Sequence, residues 1–241
     1  MTKVDVLGVG FDNYTQTEFM ALFAQRLAQQ QGTFVVTANP EIVMAARDDA
    51  EFQGYLAQAD FITADGIGVV KGAQILGTPL KERVTGFDLF MALLTLANQQ
   101  HYRVYLIGAQ ADVIQQAQKR LRADFPNIEL VGCRNGYFTD TAAVQADIIA
   151  AAPQMVFAGL GAKKQERFLV ELKQSLPAAY LMGIGGSFDV FSGKSKRAPQ
   201  WMQNLHLEWF YRLLKEPSRW RRMLVLPKFL RVVKRVAREQ R

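Results

Sequence analysis

The chain is 241 residues long, 49% apolar and 21% charged, which excludes a disordered protein and supplies enough apolar side chains for a sizeable core. Its net charge of +7 is uneven: residues 194–241 hold fourteen Lys and Arg against three acids, Glu208, Glu216 and Glu239, whereas the first 193 residues hold fifteen against nineteen. A mildly acidic body with a strongly basic tail directs the tail to an anionic surface, either nucleic acid or membrane phosphate. The single cysteine, Cys133, excludes an internal disulfide, and no Cys/His cluster offers a zinc site. The start, MTKVDVLGVGFDNYT, lacks a secretory leader's basic and apolar regions, and no 18-residue apolar stretch predicts a membrane span. A cytoplasmic protein, peripheral at the inner face of the cell membrane, is the resulting expectation.

In chain order, short apolar runs alternate with longer amphipathic segments. Strands are predicted at Val4–Val9, Thr33–Thr37, Asp60–Thr63, Arg103–Ile107, Ile128–Val131, Met155–Gly159 and Tyr180–Ile184. Their near-continuous apolarity suits strands buried on both faces. Helices are predicted at about 17–30, 40–46, 66–76, 88–99, 111–124, 141–151 and 162–175. This alternation predicts an α/β fold, a Rossmann-like parallel sheet with helices on both faces. Right-handed crossovers place the loops that follow the strands along one edge, where such sheets bind ligands. The catalytic body is expected to span 1–194 and a basic helical appendage 195–241. In the appendage, SGKSKRAP reads as a loop and Trp201–Lys215 as a helix. Another helix starts near Arg219, and Pro227 kinks or splits it.

Five segments offer chemistry. In VVTANPEIV, Thr37 and Asn39 stand at a strand's carboxyl end, where Asn39 equally suits a helix cap. In ITADGIGVV, Asp65 is a candidate general base, against capping as the bland reading. In KERVTGFDLF, Arg83 suits bidentate binding of a phosphate, against a solvated surface arginine. In FAGLGAKKQERF, Gly159 and Gly161 open a helix whose first turn holds Lys164 and Gln165, a phosphate-compatible arrangement. GIGGSFDVFSGKSKRAPQW reads as a flexible glycine-rich loop whose glycine density favours binding a nucleotide diphosphate, against a simple join of body and tail. Neither a Walker A loop nor GxGxxG is present, which disfavours nicotinamide binding, and no DxD triplet appears. Asp48 and Asp49 read as a solvated face, and His101 and His206 lack ligand spacing.

Taken together, TANPE, ADGIG, RVTGFD, GLGAKKQE and the long GIGGSFDVFSGKSKRAPQWMQNLHLEWFYRLLKEPSRWRR segment resemble the WecG/TagA/CpsF family of bacterial glycosyltransferases. The resemblance runs from about Val4 to Arg222. It implies an inverting, metal-independent transfer with no cofactor. The donor is UDP-N-acetylmannosamine and the acceptor undecaprenyl-diphospho-N-acetylglucosamine, the step that makes the wall teichoic acid linkage unit. By the same resemblance Asp65 is the base and Arg83 acts near the diphosphate. Thr37 and Asn39 share that pocket, while Gly159, Gly161 and Gln165 contact the nucleotide. Some of Arg212, Arg219 and Arg222 in the matching appendage segment are expected to reach a diphosphate of donor or acceptor, against membrane contact alone as the bland reading. The appendage then meets an anionic membrane surface and not nucleic acid. A related transferase using another UDP-sugar, such as the uronic acid or glucose, is the alternative; a non-enzymatic nucleic-acid-binding protein ranks below it. Oligomeric state stays open, and self-association that buries the apolar face of the tail is one arrangement the pattern allows.

Overall fold

Six of the predicted runs form one parallel sheet in the computed structural model, which describes residues 3–205, 207–215, 220 and 224–240. Its strands are β3 (Thr33–Ala38), β4 (Phe61–Ala64), β5 (Arg103–Gly108), β6 (Glu129–Arg134), β7 (Met155–Gly159) and β8 (Tyr180–Gly183), in the order β4-β3-β8-β7-β5-β6. All neighbouring pairs are parallel, as the apolar runs require.

The first run departs from expectation. Val4–Val9 is not one strand but a hairpin, β1 (Lys3–Val6) and β2 (Val9–Asp12), paired antiparallel in its own sheet. Leu7 and Gly8 turn the chain with φ of 57° and 90°, the left-handed pair of a tight two-residue hairpin. Asp12, at the end of the hairpin, accepts a 2.8 Å hydrogen bond from the Ile62 amide of edge strand β4.

Helices cover both faces. On one face lie α2 (Pro40–Asp48), α3 (Ala50–Ala57), α4 (Ile67–Ile75), α7 (Thr141–Ala151) and α8 (Lys164–Ser175). On the other lie α1 (Gln16–Ala28), α5 (Gly86–Gln100), α6 (Ala111–Asp124) and α9 (Ser187–Phe191). Each face has its own apolar cluster, and the faces of α2, α3, α5, α6, α7 and α8 follow from right-handed crossovers in the observed strand order. Two helices went unpredicted: α3, whose cap Asp49 accepts from the Phe52 amide, and the short α9 inside the glycine-rich segment.

The predicted 201–215 helix is divided into α10 (Gln200–Asn204) and α11 (Glu208–Lys215). The predicted start near Arg219 lies outside the described residues. The last helix, α12, spans Val225–Glu239, with Pro227 in its first turn, where a missing N–H leaves no intrahelical bond unmade. Phe229 and Val233 of α12 are fully buried and join the core cluster beneath α2 and α4. Gly72 makes room for them, since a Cβ there would stand 2.9 Å from the Phe229 ring.

Candidate active site

Strand register brings the first two motifs side by side. Ala38 pairs with Ala64, so Asn39 and Asp65 emerge together at the carboxyl ends of β3 and β4. Asn39 caps α2, its side-chain oxygen accepting from the Ile42 amide at 3.0 Å. Asp65 does not cap α4; the cap residue is Gly66. Instead Asp65 Oδ2 accepts a 3.1 Å bond from the Gly86 amide, across 21 residues of sequence.

That bond belongs to a wider attachment of the Arg83 motif. The Val84 amide donates to the Ala64 carbonyl at 3.1 Å, so the 83–86 segment continues the edge of β4. Thr37 closes the group: it is buried and its hydroxyl donates to the Gly183 carbonyl of β8 at 3.1 Å. Gly86 is required by close approach, because a Cβ there would lie 2.9 Å from Thr37 Oγ1 and 3.3 Å from Asp65 Oδ2. Thr37, Asp65 and the N-terminus of α5 thus meet at one point. Here α2 leaves β3 toward one face while α9 leaves the adjacent β8 toward the other, a switch point of the sheet.

A second switch point separates β5 from β7, whose following helices α6 and α8 also diverge. A cavity of about 460 Å³ opens there, lined by Ala109, Gly136, Tyr137, Gly159, Leu160 and Lys164, among others. Gly161, with φ of 86°, bends the chain from Gly159 into α8. Gln165 is only 3% exposed and bridges two loops: its oxygen accepts from the Gly185 amide at 3.2 Å, and its amide donates to Glu166 at 2.7 Å. Burial raises the Glu166 carboxyl above the usual range despite that bond, and its Oε2 has no hydrogen-bond partner among the described residues. A larger cavity, about 690 Å³, lies where α2, α4 and α12 finish, lined by Arg47, Leu76 and Val236 among others, and contains none of the predicted site residues.

The chain's sequence matches the profile of the "Glycosyl transferase WecG/TagA/CpsF family" over residues 4–241. It is 40% identical over 230 residues to the N-acetylglucosaminyldiphosphoundecaprenol N-acetyl-beta-D-mannosaminyltransferase of Bacillus subtilis, covering 95% of this chain and 90% of that one. The chain belongs to this glycosyltransferase family. A protein of the same name from Bacillus spizizenii is 47% identical over 207 residues, 86% of this chain and 80% of its own. One from Staphylococcus aureus is 36% identical over 240 residues, 98% and 94% of the two chains.

For a member of this family, the instructive surprise is what surrounds Arg83. Far from being a solvated surface arginine, it is 15% exposed and donates from Nη2 to Glu208 of α11 at 2.6 Å. Glu208 also accepts from Arg197 Nε at 3.2 Å, and Arg197 grips Asp88 with both terminal nitrogens at 2.6 and 2.9 Å. Burial alone would raise the Glu208 and Asp88 carboxyls. The two arginines, with the Thr85 hydroxyl on Asp88, outweigh it and hold both below the ordinary carboxylate range. Sequence reading passed over Glu208, Arg197 and Asp88 as site residues. Each nevertheless stands inside a motif already singled out: LEW, KRAP and RVTGFD.

Of the appendage arginines, Arg219 and Arg222 lie outside the described residues, as does the Arg212 side chain on α11. Among the described residues no three His, Cys, Asp or Glu side chains gather as a metal ligand set. Burial pushes the Cys133 thiol up to about 11, which leaves little thiolate at neutral pH.

Proposed function

We propose that the chain transfers N-acetylmannosamine from its UDP form to undecaprenyl-diphospho-N-acetylglucosamine with inversion at the anomeric carbon. The observation that carries this reading is the meeting of Thr37, Asp65 and the Arg83 segment at one sheet edge. It occurs in a chain closely similar, over nearly its whole length, to transferases named for that reaction. A UDP-sugar linked through its α face yields the beta product of those names by a single displacement.

Asp65 takes the proton of the acceptor hydroxyl as that oxygen attacks the anomeric carbon, and the bond to UDP breaks on the opposite face. The electron pair leaves with the diphosphate, whose growing charge Arg83 meets. A preorganised donor of this kind is worth on the order of 3–4 kcal/mol in the barrier. Thr37 and Asn39 shape the pocket around the sugar. The cavity between β5 and β7 suits the nucleotide, with the diphosphate near Gly159 and Gly161 and Gln165 holding the two loops together. Arg212, Arg219 and Arg222 complete the diphosphate site from the appendage, residues 195–241.

The exposed aromatic and aliphatic side chains of the appendage support docking at a membrane. Trp201, Leu205, Trp209, Phe210, Leu214, Trp220 and Leu224 are all 37–62% exposed, in a segment rich in Lys and Arg. Indole rings at the headgroup level and cations on anionic lipid are a favourable combination, about 1 kcal/mol per near-surface cation. No helix among the described residues is long and apolar enough to cross a membrane.

The test is transfer in vitro from a panel of UDP-sugars to a lipid-diphospho-N-acetylglucosamine analogue, with and without EDTA. The reading expects N-acetylmannosamine to be the preferred sugar, a beta linkage, and a rate indifferent to EDTA. Preference for another sugar, or loss of activity in EDTA, contradicts it.

A further inference from the structure

Arg83 comes from the irregular segment between α4 and α5, where backbone structure alone does not fix a long side chain. It is fixed instead from 125 residues away. Glu208 spends one carboxylate oxygen on Arg83 at 2.6 Å and the other on Arg197 at 3.2 Å. Arg197 is itself immobilised: Nη1 and Nη2 hold Asp88, Nε holds Glu208, and its guanidinium lies 5.1 Å from the Phe87 ring centre. Asp88 is tied back by the Thr85 hydroxyl at 2.6 Å. The Arg83–Glu208 pair is 15% and 14% exposed, so water screens it little. Two arginines and two carboxylates therefore form a neutral, largely enclosed chain of charge that runs from Asp88 of α5 through Arg197 and Glu208 of α11 to Arg83.

We propose that Glu208 is the positioning residue for Arg83, and that through this pair α11 sets the direction in which the guanidinium faces the donor diphosphate. The proposal rests on the role given to Arg83 above. Glu208 begins the helix that exposes Trp209, Phe210 and Leu214, so seating of that helix and placement of the catalytic cation are one structural event. Two effects of opposite sign follow. Holding Arg83 removes reorganisation when charge develops on the leaving group, which raises kcat. The carboxylate also lowers the positive potential felt by the bound, ground-state anion, which weakens donor binding.

Removing the charge while keeping the shape separates these effects. Steady-state kinetics with the full chain, UDP-N-acetylmannosamine and the lipid-diphospho-N-acetylglucosamine analogue should compare native protein, Glu208→Gln, Arg83→Ala and the double variant. Glu208→Gln is expected to lose at least tenfold in kcat while the donor KM stays level or falls. The double variant should be no slower than Arg83→Ala, because Glu208 acts through Arg83. Glu208→Asp, which keeps the charge, should fall between native and Glu208→Gln at a native melting temperature. A kcat for Glu208→Gln within twofold of native, beside an inactive Arg83→Ala, overturns the positioning role and leaves the role of Arg83 intact. Near-native turnover by Arg83→Ala overturns both. Losses that multiply in the double variant, or a kcat that merely follows the folded fraction, assign Glu208 to stability instead.

Discussion

The two halves of the basic tail have the same sequence character and opposite fates. Both alternate aromatic or aliphatic residues with Lys and Arg. In α12, Phe229 and Val233 are fully buried on α4, and Lys228, Arg231, Lys234, Arg235 and Arg238 are among the residues that face solvent. Among the described residues from Trp201 to Leu224, Met202 is buried, but Trp201, Leu205, Trp209, Phe210, Leu214, Trp220 and Leu224 are themselves exposed. Amphipathicity alone does not say whether an apolar stripe belongs to the protein or to something outside it. What decides is whether the body offers a complementary groove. For α12 it does, built from the small residues Gly68 and Gly72 of α4: a Cβ at Gly68 would lie 2.7 Å from Leu226 and one at Gly72 2.9 Å from Phe229. On the reading proposed above, membrane docking would fall to the α10–α11 region, while α12 offers a cationic face from a helix already anchored.

The sharpest way to break this contrast is to truncate one apolar side chain in each half. Phe229→Ala is expected to cost about 3–5 kcal/mol of stability by leaving a cavity, read as a fall in the denaturation midpoint. Trp209→Ala should stay within about 0.5 kcal/mol of native, as exposed positions do. Equal losses would mean that both halves are core. The reverse experiment is sedimentation with anionic vesicles. Replacing Trp209, Phe210 and Leu214 together by Ser should weaken binding at least tenfold, with little change in melting. Charge reversal at Lys228 and Arg231 should weaken it less, by an amount that shrinks as salt rises.

A smaller effect concerns pH. Glu208 and Asp88 have folded-state carboxyls held below their unfolded values by Arg83 and Arg197. Their contribution to stability is thus complete above the unfolded carboxylate range, about pH 4, and is lost as pH falls through the lowered folded values. Melting temperature should decline on acidification below about pH 4, and the decline should be shallower in Glu208→Gln. An identical acid limb in that variant would remove the network from the account of how α11 is held.

Much of this was legible in the sequence because it is local. Continuous apolar runs gave the six sheet strands, and the motifs after them gave Thr37, Asn39 and Asp65 at one edge. The hairpin was missed because a turn of Leu7 and Gly8 interrupts an apolar run without a polar signal. Asn39, proposed as a site residue, is a helix cap, while the Asp65 carboxylate accepts instead from the Gly86 amide 21 residues away. The Arg83–Glu208–Arg197–Asp88 chain could not be read because its partners are 109 and 125 residues apart, and a single sequence carries no sign of which charges will meet. What the sequence did show was that Asp88, Arg197 and Glu208 lie inside motifs singled out for other reasons.

The central claim is that Asp65 removes the acceptor proton, and the most direct measurement is turnover of Asp65→Asn on the lipid-linked acceptor. The side chain keeps its shape and its oxygen can still accept from the Gly86 amide, so the melting temperature should stay near native. The account predicts that kcat falls at least a hundredfold, within the range expected for loss of a general base. A folded Asp65→Asn enzyme with near-native turnover would contradict it.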